Sequence, residues 1–132
     1  MTDAAIGERF ARAIAQQDRS ALLDVLAPEV DFRALTPGRF WETSSPTELV
    51  DDFVLGTWFG PTDHIDELEA VEVGSIADRE RVAYRLRITN PDGLFLVEQQ
   101  AYFGVDDDRI SWLRIMCSGF RVHPDARPGS LR

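Results

Sequence analysis

The stretch over residues 94–120 constrains the fold most, because its residues alternate between two chemically different faces around a turn at Asp106-Asp107-Asp108. This alternation predicts one long β-hairpin. One face is apolar apart from a single amide, and its members are Val97, Gln99, Ala101, Phe103, Leu113, Ile115 and Cys117. The other face is mixed, with Glu98, Gln100, Tyr102, Trp112, Arg114 and Met116. The hairpin therefore predicts a sheet with a pocket on one side and a partner surface on the other.

Helical and strand-like patterns precede this hairpin. Apolar residues recur at helical spacing over residues 4–17 and 18–27, and Pro28 ends the second of these helices. A third helix begins at Ser45-Pro46 and stops at Gly60-Pro61. Strand-like alternation covers residues 30–35, a short returning arm at 39–41, and residues 65–76 and 82–89.

This order of elements predicts an α+β fold. A cone-shaped, curved antiparallel or mixed sheet packs against three helices from the N-terminal half of the chain. We predict one domain over residues 1–122 and a flexible tail over residues 123–132, in which His123 has no assigned role.

The composition excludes several classes of partner and chemistry. A formal net charge of −9 on 132 residues repels phosphate backbones and anionic lipids, so we expect neither nucleic acid nor a membrane as a partner. All 14 basic residues are arginine, which excludes chemistry that needs a lysine amine. A single cysteine and an N-terminus without a secretory pattern lead us to expect a cytoplasmic protein. Two histidines and one cysteine at no ligand spacing predict no metal, and we expect no other cofactor.

Two polar residues are the candidates for catalysis. His64, beside Asp63 and near Asp66, is the best available general base; the alternative is a histidine that only hydrogen-bonds a loop. Gln99, the amide on the apolar hairpin face, can donate to a ligand carbonyl or enolate. Its alternative is a buried amide that a neighbouring strand or a water molecule satisfies.

Apolar and aromatic residues on the inner face are the candidates for substrate binding. These are Phe10, Trp41, Trp58, Tyr84, Leu113, Ile115 and Cys117. Trp41 and Trp58 can frame the mouth of the cone with Arg39. Tyr84 either offers its phenol or packs in the core, and Cys117 is expected to be a small buried hydrophobe. The large side chains of Phe10, Phe53, Phe103 and Trp58 favour the alternative of a filled cone.

The outer sheet face is expected to form a homodimer. Opposite charges and an aromatic side chain can pair there across a two-fold axis. The residues concerned are Arg85, Arg87, Glu98, Trp112 and Arg114. In the alternative, this face recruits a different protein and the chain is a non-enzymatic binding or accessory module.

The sequence resembles the nuclear transport factor 2-like superfamily, and within it the SnoaL-like branch of small bacterial proteins. The resemblance covers residues 4–120. It rests on FARAIAQQDRSALLDVLAPEVDF, RFWETSSPTELVDDFVLGTWFG, TDHIDELEAVEV and RISWLRIMCSGF. It implies the cone fold, but the superfamily includes isomerases, cyclases, dehydratases, epoxide hydrolases and proteins without catalysis, so fold does not give function.

Two known chemistries of the superfamily lack their residues here. Where a ketosteroid isomerase would carry its tyrosine, its catalytic aspartate and its second acid, this chain has Phe10, Ala34 and Ala101. The strand acids of a limonene epoxide hydrolase fall at Arg87 and Ile115. The resemblance therefore leaves a protein that binds a small apolar or polyketide-like molecule. As an enzyme it would be a cofactor-free isomerase, cyclase or dehydratase, with His64 as base and Gln99 as polariser.

Overall fold

Polar caps begin the first two helices of the chain. The side chains of Thr2 and Asp18 accept hydrogen bonds from the backbone N–H groups of Ala5 and Ala21. The computed structural model describes residues 1–126. Its elements are α1 (Asp3–Ala15), α2 (Arg19–Val25), β1 (Leu26–Thr36), β2 (Arg39–Thr43), α3 (Pro46–Glu48), a π-helix (Leu49–Trp58), β3 (His64–Ile76), β4 (Arg79–Asn90), β5 (Gly93–Asp106), β6 (Arg109–Cys117) and β7 (Arg121–Val122). The predicted α+β fold is confirmed.

The strands form one mixed sheet in the order β2-β1-β6-β5-β4-β3, and the sheet does not close on itself. All neighbours are antiparallel except β1 and β6, which are parallel. Gln99 lies opposite Cys117, and Ala101 lies opposite Ile115. This is the register that the alternation in the hairpin predicts, so both faces of the hairpin are confirmed. β7 pairs with the start of β5, beyond the end of β6.

Two local predictions are corrected by the structure. Pro28 does not end α2, because the helix ends at Val25 and β1 begins at Leu26 with the proline inside it. The strand tolerates a residue without an N–H because the pairing of β1 with β6 is irregular between Leu26 and Asp31.

The third helix is regular for only one turn. From Leu49 onward the backbone hydrogen bonds join residues five positions apart, as in a π-helix. At the end of this segment the N–H of Phe59 donates to the carbonyl of Val54. A π-helix has a longer repeat than an α-helix, which places Val50, Val54 and Trp58 against the core.

The helices cover one face of the sheet. Ile6, Phe10 and Ile14 of α1 are fully buried against β3 and β4. Gly7 lets the helix approach the sheet closely, since a Cβ atom there would lie 2.8 Å from Cζ of Phe103. The wide part of the cone is therefore filled by large side chains.

A segment that we call the C-terminal strap, residues 118–126, pairs with β5 and contacts side chains of β3 and β4. Residues 123–126, which we predicted as the start of a flexible tail, are held in place here. The ring of His123 is 5% exposed; its Nε2 lies 2.8 Å from Glu69, and its Nδ1 accepts from the N–H of Asp125. Asp125 also accepts from Arg87 at 2.9 Å. The rest of the predicted tail, residues 127–132, lies outside the described residues.

Candidate functional site

A cavity of about 360 Å³ lies at the open end of the cone, and we call it the mouth cavity. The β1–β2 turn, β2, the end of the π-helix and the C-terminal strap surround it. Its lining residues are Thr36, Pro37, Trp41, Thr57, Trp58, Phe59, Cys117, Ser118, Gly119 and Phe120. None of these residues carries a formal charge at neutral pH. The volume is within the range of small-molecule sites, which begins at roughly 300 Å³.

Aromatic rings form two walls of the mouth cavity. The ring centroids of Trp41 and Trp58 lie 5.8 Å apart at an interplanar angle of 88°. On the other side Phe120 packs 6.2 Å from Phe59 and 5.7 Å from Phe95. The Trp41–Trp58 and Phe95–Phe120 pairs are edge-to-face and the Phe59–Phe120 pair is tilted at 39°, arrangements that leave apolar ring faces for a ligand.

Backbone geometry brings the strap to the cavity. Gly119 has a φ of +75°, and a Cβ atom there would lie 2.7 Å from Cγ of Pro37. Only glycine fits at this position, where the strap passes over the β1–β2 turn. The indole N–H of Trp41 donates to Oγ1 of Thr36 at 2.8 Å and so fixes that wall against the same turn.

Two buried side-chain donors within residues 1–126 have no hydrogen-bond partner. They are Nε1 of Trp58 and Nε2 of Gln99. An unsatisfied buried donor costs about 1–3 kcal/mol, so most proteins avoid them. Trp58 lines the mouth cavity directly. Gln99 does not line the cavity; it lies opposite Cys117, which does.

The other end of the Gln99 amide is satisfied by Tyr84. The phenol donates to Oε1 of Gln99 at 2.6 Å. Burial, together with the neighbouring Cys117, raises the pKa of Tyr84 well above its usual value. The phenol therefore stays protonated and keeps donating, which holds the amide with its oxygen toward Tyr84 and leaves its nitrogen unpaired.

Three of the seven predicted substrate-binding residues line the mouth cavity: Trp41, Trp58 and Cys117. The other four lie elsewhere. Phe10 and Leu113 are fully buried core, and Tyr84 packs edge-on 6.4 Å from Phe10. Ile115 is buried beneath the outer face, where it contributes to a different recess.

His64 and Gln99 are not brought together. His64 begins the edge strand β3 with its side chain 76% exposed and Nε2 3.6 Å from Asp66. It lies opposite Thr89, whereas Gln99 lies opposite Tyr84, five positions away along β4. Five positions of a strand span about 17 Å, which is too far for the two side chains to act on one atom.

Sequence reasoning missed Phe59 and Phe120 as lining residues. Phe59 lies within the predicted third helix, and Phe120 lies at the end of the predicted hairpin. The sequence feature that could have identified them is that each phenylalanine lies next to a glycine, Gly60 or Gly119, beyond the end of a helix or strand. That signal is too general to identify a wall without the fold.

The outer sheet face carries a second recess of about 260 Å³, which we call the outer recess. Leu35, Phe40 and Met116 line it, and each is roughly half exposed. Several charges predicted to pair across a dimer already have partners in the same chain. Arg85 pairs with Glu69 at 3.1 Å, and Arg114 with Asp31 at 3.1 Å.

Glu69 is the centre of the ion pairs that hold the strap. Burial by itself raises the pKa of Glu69, but hydrogen bonds and charges from His123 and Arg85 outweigh it and leave the pKa below its ordinary value. Arg87 adds a further contact, 3.6 Å from the same carboxylate. The strap is therefore tied to β3 and β4 by a carboxylate that stays ionised at neutral pH.

Comparison with known proteins identifies the architecture. The chain matches no protein-family model and no curated protein sequence. Among solved structures it is similar to a proposed polyketide cyclase from Pseudomonas putida KT2440, with a TM-score of 0.68 and 11% identity over 100% of this chain and 99% of that one. It is also similar to a nuclear transport factor 2-like protein from Burkholderia thailandensis E264, with a TM-score of 0.65 and 17% identity over 89% and 92%.

A third similar structure is an LEH-like epoxide hydrolase from M. tuberculosis, with a TM-score of 0.63 and 13% identity over 87% of this chain and 81% of that one. Within residues 1–126, no helix is long and apolar enough to cross a membrane. The helix arrangement, the strand order and these similarities show that the chain has the nuclear transport factor 2-like fold.

Proposed function

We propose that this chain is a SnoaL-like protein that binds a small, flat, apolar molecule in the mouth cavity. The observation that carries the proposal is the cavity itself: about 360 Å³ between aromatic walls, with no charged residue in its lining. A ligand that fills this space buries apolar surface against Trp41 and Phe120. Burial of that surface supplies the affinity.

Binding, rather than catalysis, is the function that this geometry supports best. Within residues 1–126, the cavity lining has hydroxyls and one thiol but no carboxylate and no imidazole. General acid–base chemistry needs such a group within hydrogen-bond reach of the reacting atom. His64 is exposed on β3 and Tyr84 is buried, and neither residue lines the cavity.

The binding proposal is tested by filling the cavity from its edge. Thr57 is exposed and lines the mouth cavity, so Thr57→Trp places a large side chain across it. Thr47→Trp is the matched control, because Thr47 is also exposed but does not line the cavity. The neutral fluorophore N-phenyl-1-naphthylamine reports binding by its increase in emission.

We expect the wild-type protein and Thr47→Trp to bind the fluorophore equally, and Thr57→Trp to weaken binding at least tenfold. Equal binding by all three proteins would contradict the proposed location of the site. No binding by the wild-type protein would contradict the proposed function.

A second proposal concerns the outer recess, which we assign to a second copy of this chain. Exposed apolar side chains at Leu35, Phe40 and Met116 form a contiguous patch there. Arg33 and Arg114 flank the patch, and Glu98 lies on the same sheet face, so opposite charges on one surface can pair across the two-fold axis of an isologous dimer. We place this dimer in the cytoplasm, where the single thiol of the chain stays reduced.

The dimer is tested by a charge in the patch. Phe40→Glu is expected to convert a dimer to a monomer in light scattering after size-exclusion chromatography. Ile76→Glu replaces an equally exposed apolar residue at the β3–β4 turn and is expected to leave the dimer intact. A monomeric wild-type protein, or a dimeric Phe40→Glu variant, would contradict this assignment.

A further inference from the structure

The fold holds the guanidinium of Arg79 in one place on the outer sheet face. Its Cζ lies 3.9 Å from the ring centroid of Trp112, and Cζ of Arg114 lies 4.3 Å from the same centroid. To reach that ring the Arg79 side chain crosses over Gly104 of β5, where a Cβ atom would lie 2.4 Å from Nη1. Arg114 pairs with Asp31 at 3.1 Å, whereas Arg79 has no ion-pair partner among residues 1–126. Arg79 is therefore an ordered cation without an anion.

Glu98 is the opposite case on the same face. Its side chain is exposed, and Arg85, its cross-strand neighbour on β4, pairs instead with Glu69 at 3.1 Å. Arg121 on β7 lies beside β5 as well, but it makes no ion pair with Glu98. Within the part of the chain that the structure describes, Glu98 thus has no cation to neutralise it.

These two unpaired charges lie on either side of the outer recess. Glu98 and Gly104, above which the guanidinium lies, are six positions apart on β5, a span of about 20 Å. Gln100 and Tyr102 occupy the middle of this span, and Gln100 lies opposite Met116 of β6. Both Tyr102 and Met116 line the outer recess. A two-fold axis through this middle region exchanges the two ends of the face, so the cation of one copy comes to face the anion of the other.

We propose that Arg79 pairs with Glu98 of the partner subunit, and that this ion pair forms twice across a dimer whose two-fold axis passes beside Tyr102 and Met116. The inference rests on the proposed dimer and goes further by fixing its register. The stacked guanidinium is ordered before the partner arrives, so it loses little side-chain freedom when it binds a carboxylate. Any other register would cover these charges without neutralising them, which favours this one arrangement of the two sheets.

Charge reversal tests the pairing. Arg79→Glu and Glu98→Arg each replace two ion pairs by two like-charge contacts, so each is expected to raise the dissociation constant of the dimer at least about tenfold. The double variant Arg79→Glu with Glu98→Arg restores both pairs with their signs exchanged and is expected to dimerise within about threefold of the wild-type protein. Arg12→Glu is the matched control, because Arg12 is exposed on α1 and lies outside the sheet. It should leave dimerisation unchanged.

Gly104→Ala separates the position of the guanidinium from its charge. The backbone at Gly104 is outside the left-handed region, so alanine is tolerated there, but its Cβ would displace the Arg79 side chain from Trp112. We expect a dissociation constant between those of the wild-type protein and Arg79→Glu. A dimer as tight as the wild type would contradict the ordering of Arg79 as the basis of the pair.

Analytical ultracentrifugation measures these dissociation constants. The wild-type dimer alone decides the matter where a variant fails to fold: raising the salt from about 0.05 M to about 0.5 M should weaken it severalfold, and an unchanged or tighter dimer would overturn the inference. Single variants that dimerise like the wild type while Phe40→Glu is monomeric would overturn the pairing and leave the dimer. Weakened single variants without recovery in the double variant would also overturn it. A monomeric wild-type protein would contradict both the inference and the proposed dimer.

Discussion

Removing the Tyr84–Gln99 pair is expected to make the unliganded protein more stable. The perturbation is the double substitution Tyr84→Phe with Gln99→Met. Methionine replaces the amide by an unbranched side chain of similar length that adapts to its surroundings. The double variant therefore removes the unpartnered nitrogen of Gln99, the phenol hydroxyl and the hydrogen bond between them, with little change in packing.

The magnitude follows from two opposing contributions. Leaving the buried Gln99 nitrogen unsatisfied costs the native state about 1–3 kcal/mol, and the hydrogen bond from Tyr84 contributes a net ~0.5–1.5 kcal/mol in its favour. Their difference predicts that the double variant gains about 1 kcal/mol in the free energy of unfolding. Tyr84→Phe alone leaves both the oxygen and the nitrogen of the Gln99 amide unpaired and should lose about 1–3 kcal/mol. Gln99→Met alone removes the unpaired amide nitrogen but leaves the Tyr84 hydroxyl without its acceptor, so the stability should change little.

Urea denaturation followed by tryptophan fluorescence measures these differences through the transition midpoint, provided that the dependence on urea is unchanged. The four proteins form a cycle in which the Tyr84–Gln99 interaction energy is measured separately from the cost of the free nitrogen. A double variant that is less stable than the wild-type protein by about 1 kcal/mol or more would refute the reasoning. It would mean that the Tyr84–Gln99 pair stabilises the fold despite the unpartnered nitrogen.

Three further changes test the parts that position the mouth cavity. Gly119→Ala is expected to lower the free energy of unfolding by about 2 kcal/mol in thermal or urea melts, because alanine disfavours the left-handed backbone and its Cβ atom would collide with Pro37. Gly38→Ala is the control: it has the same φ of +75° but no atom within 4 Å of the added Cβ, so it should lose only about 1 kcal/mol. Gly56→Ala should destabilise the fold by about 1–3 kcal/mol, because a Cβ atom there would lie 2.6 Å from the backbone oxygen of Asp51, one turn earlier in the π-helix. A thermal melt followed by circular dichroism that shows wild-type stability would contradict this. Because the pKa of Glu69 is lowered in the folded state, its contribution to stability is fully present above its ordinary pKa of 4.5 and is lost as pH falls through the lower folded value. Glu69→Gln should therefore reduce the free energy of unfolding by about 1–3 kcal/mol at pH 7 and by much less at low pH. An equal loss at both pH values would contradict the ion pairs.

The hairpin of residues 94–120 was predictable because a period of two is local. Alternation alone places Gln99 and Cys117 on one face and Met116 on the other, and the observed register follows it. The turn could be placed for the same reason, and Asp107 and Asp108 adopt the left-handed conformation that a tight hairpin needs. Sequence sufficed where neighbours along the chain decide the structure.

The mouth cavity and the strap depend on contacts between distant parts of the chain. The hydrogen bond between Glu69 and His123 joins residues 54 positions apart, and no spacing rule connects them. The π-helix likewise depends on how residues 49–58 pack against the core, because the sequence pattern of an apolar stripe does not distinguish it from an α-helix. Trp41 and Trp58 could be placed near an opening, but their edge-to-face contact comes from β2 and the π-helix meeting only in the folded chain.

The three tryptophans of the chain allow the location of the site to be measured directly. Trp41 and Trp58 line the mouth cavity, whereas Trp112 lies on the outer sheet face beneath Arg79 and Arg114 and serves as an internal control. Titration of the ¹⁵N-labelled protein with N-phenyl-1-naphthylamine should shift the indole N–H resonances of Trp41 and Trp58 and leave that of Trp112 in place. A shift of Trp112 alone, or no shift of any indole resonance at saturating fluorophore, would contradict a binding site at the mouth of the cone.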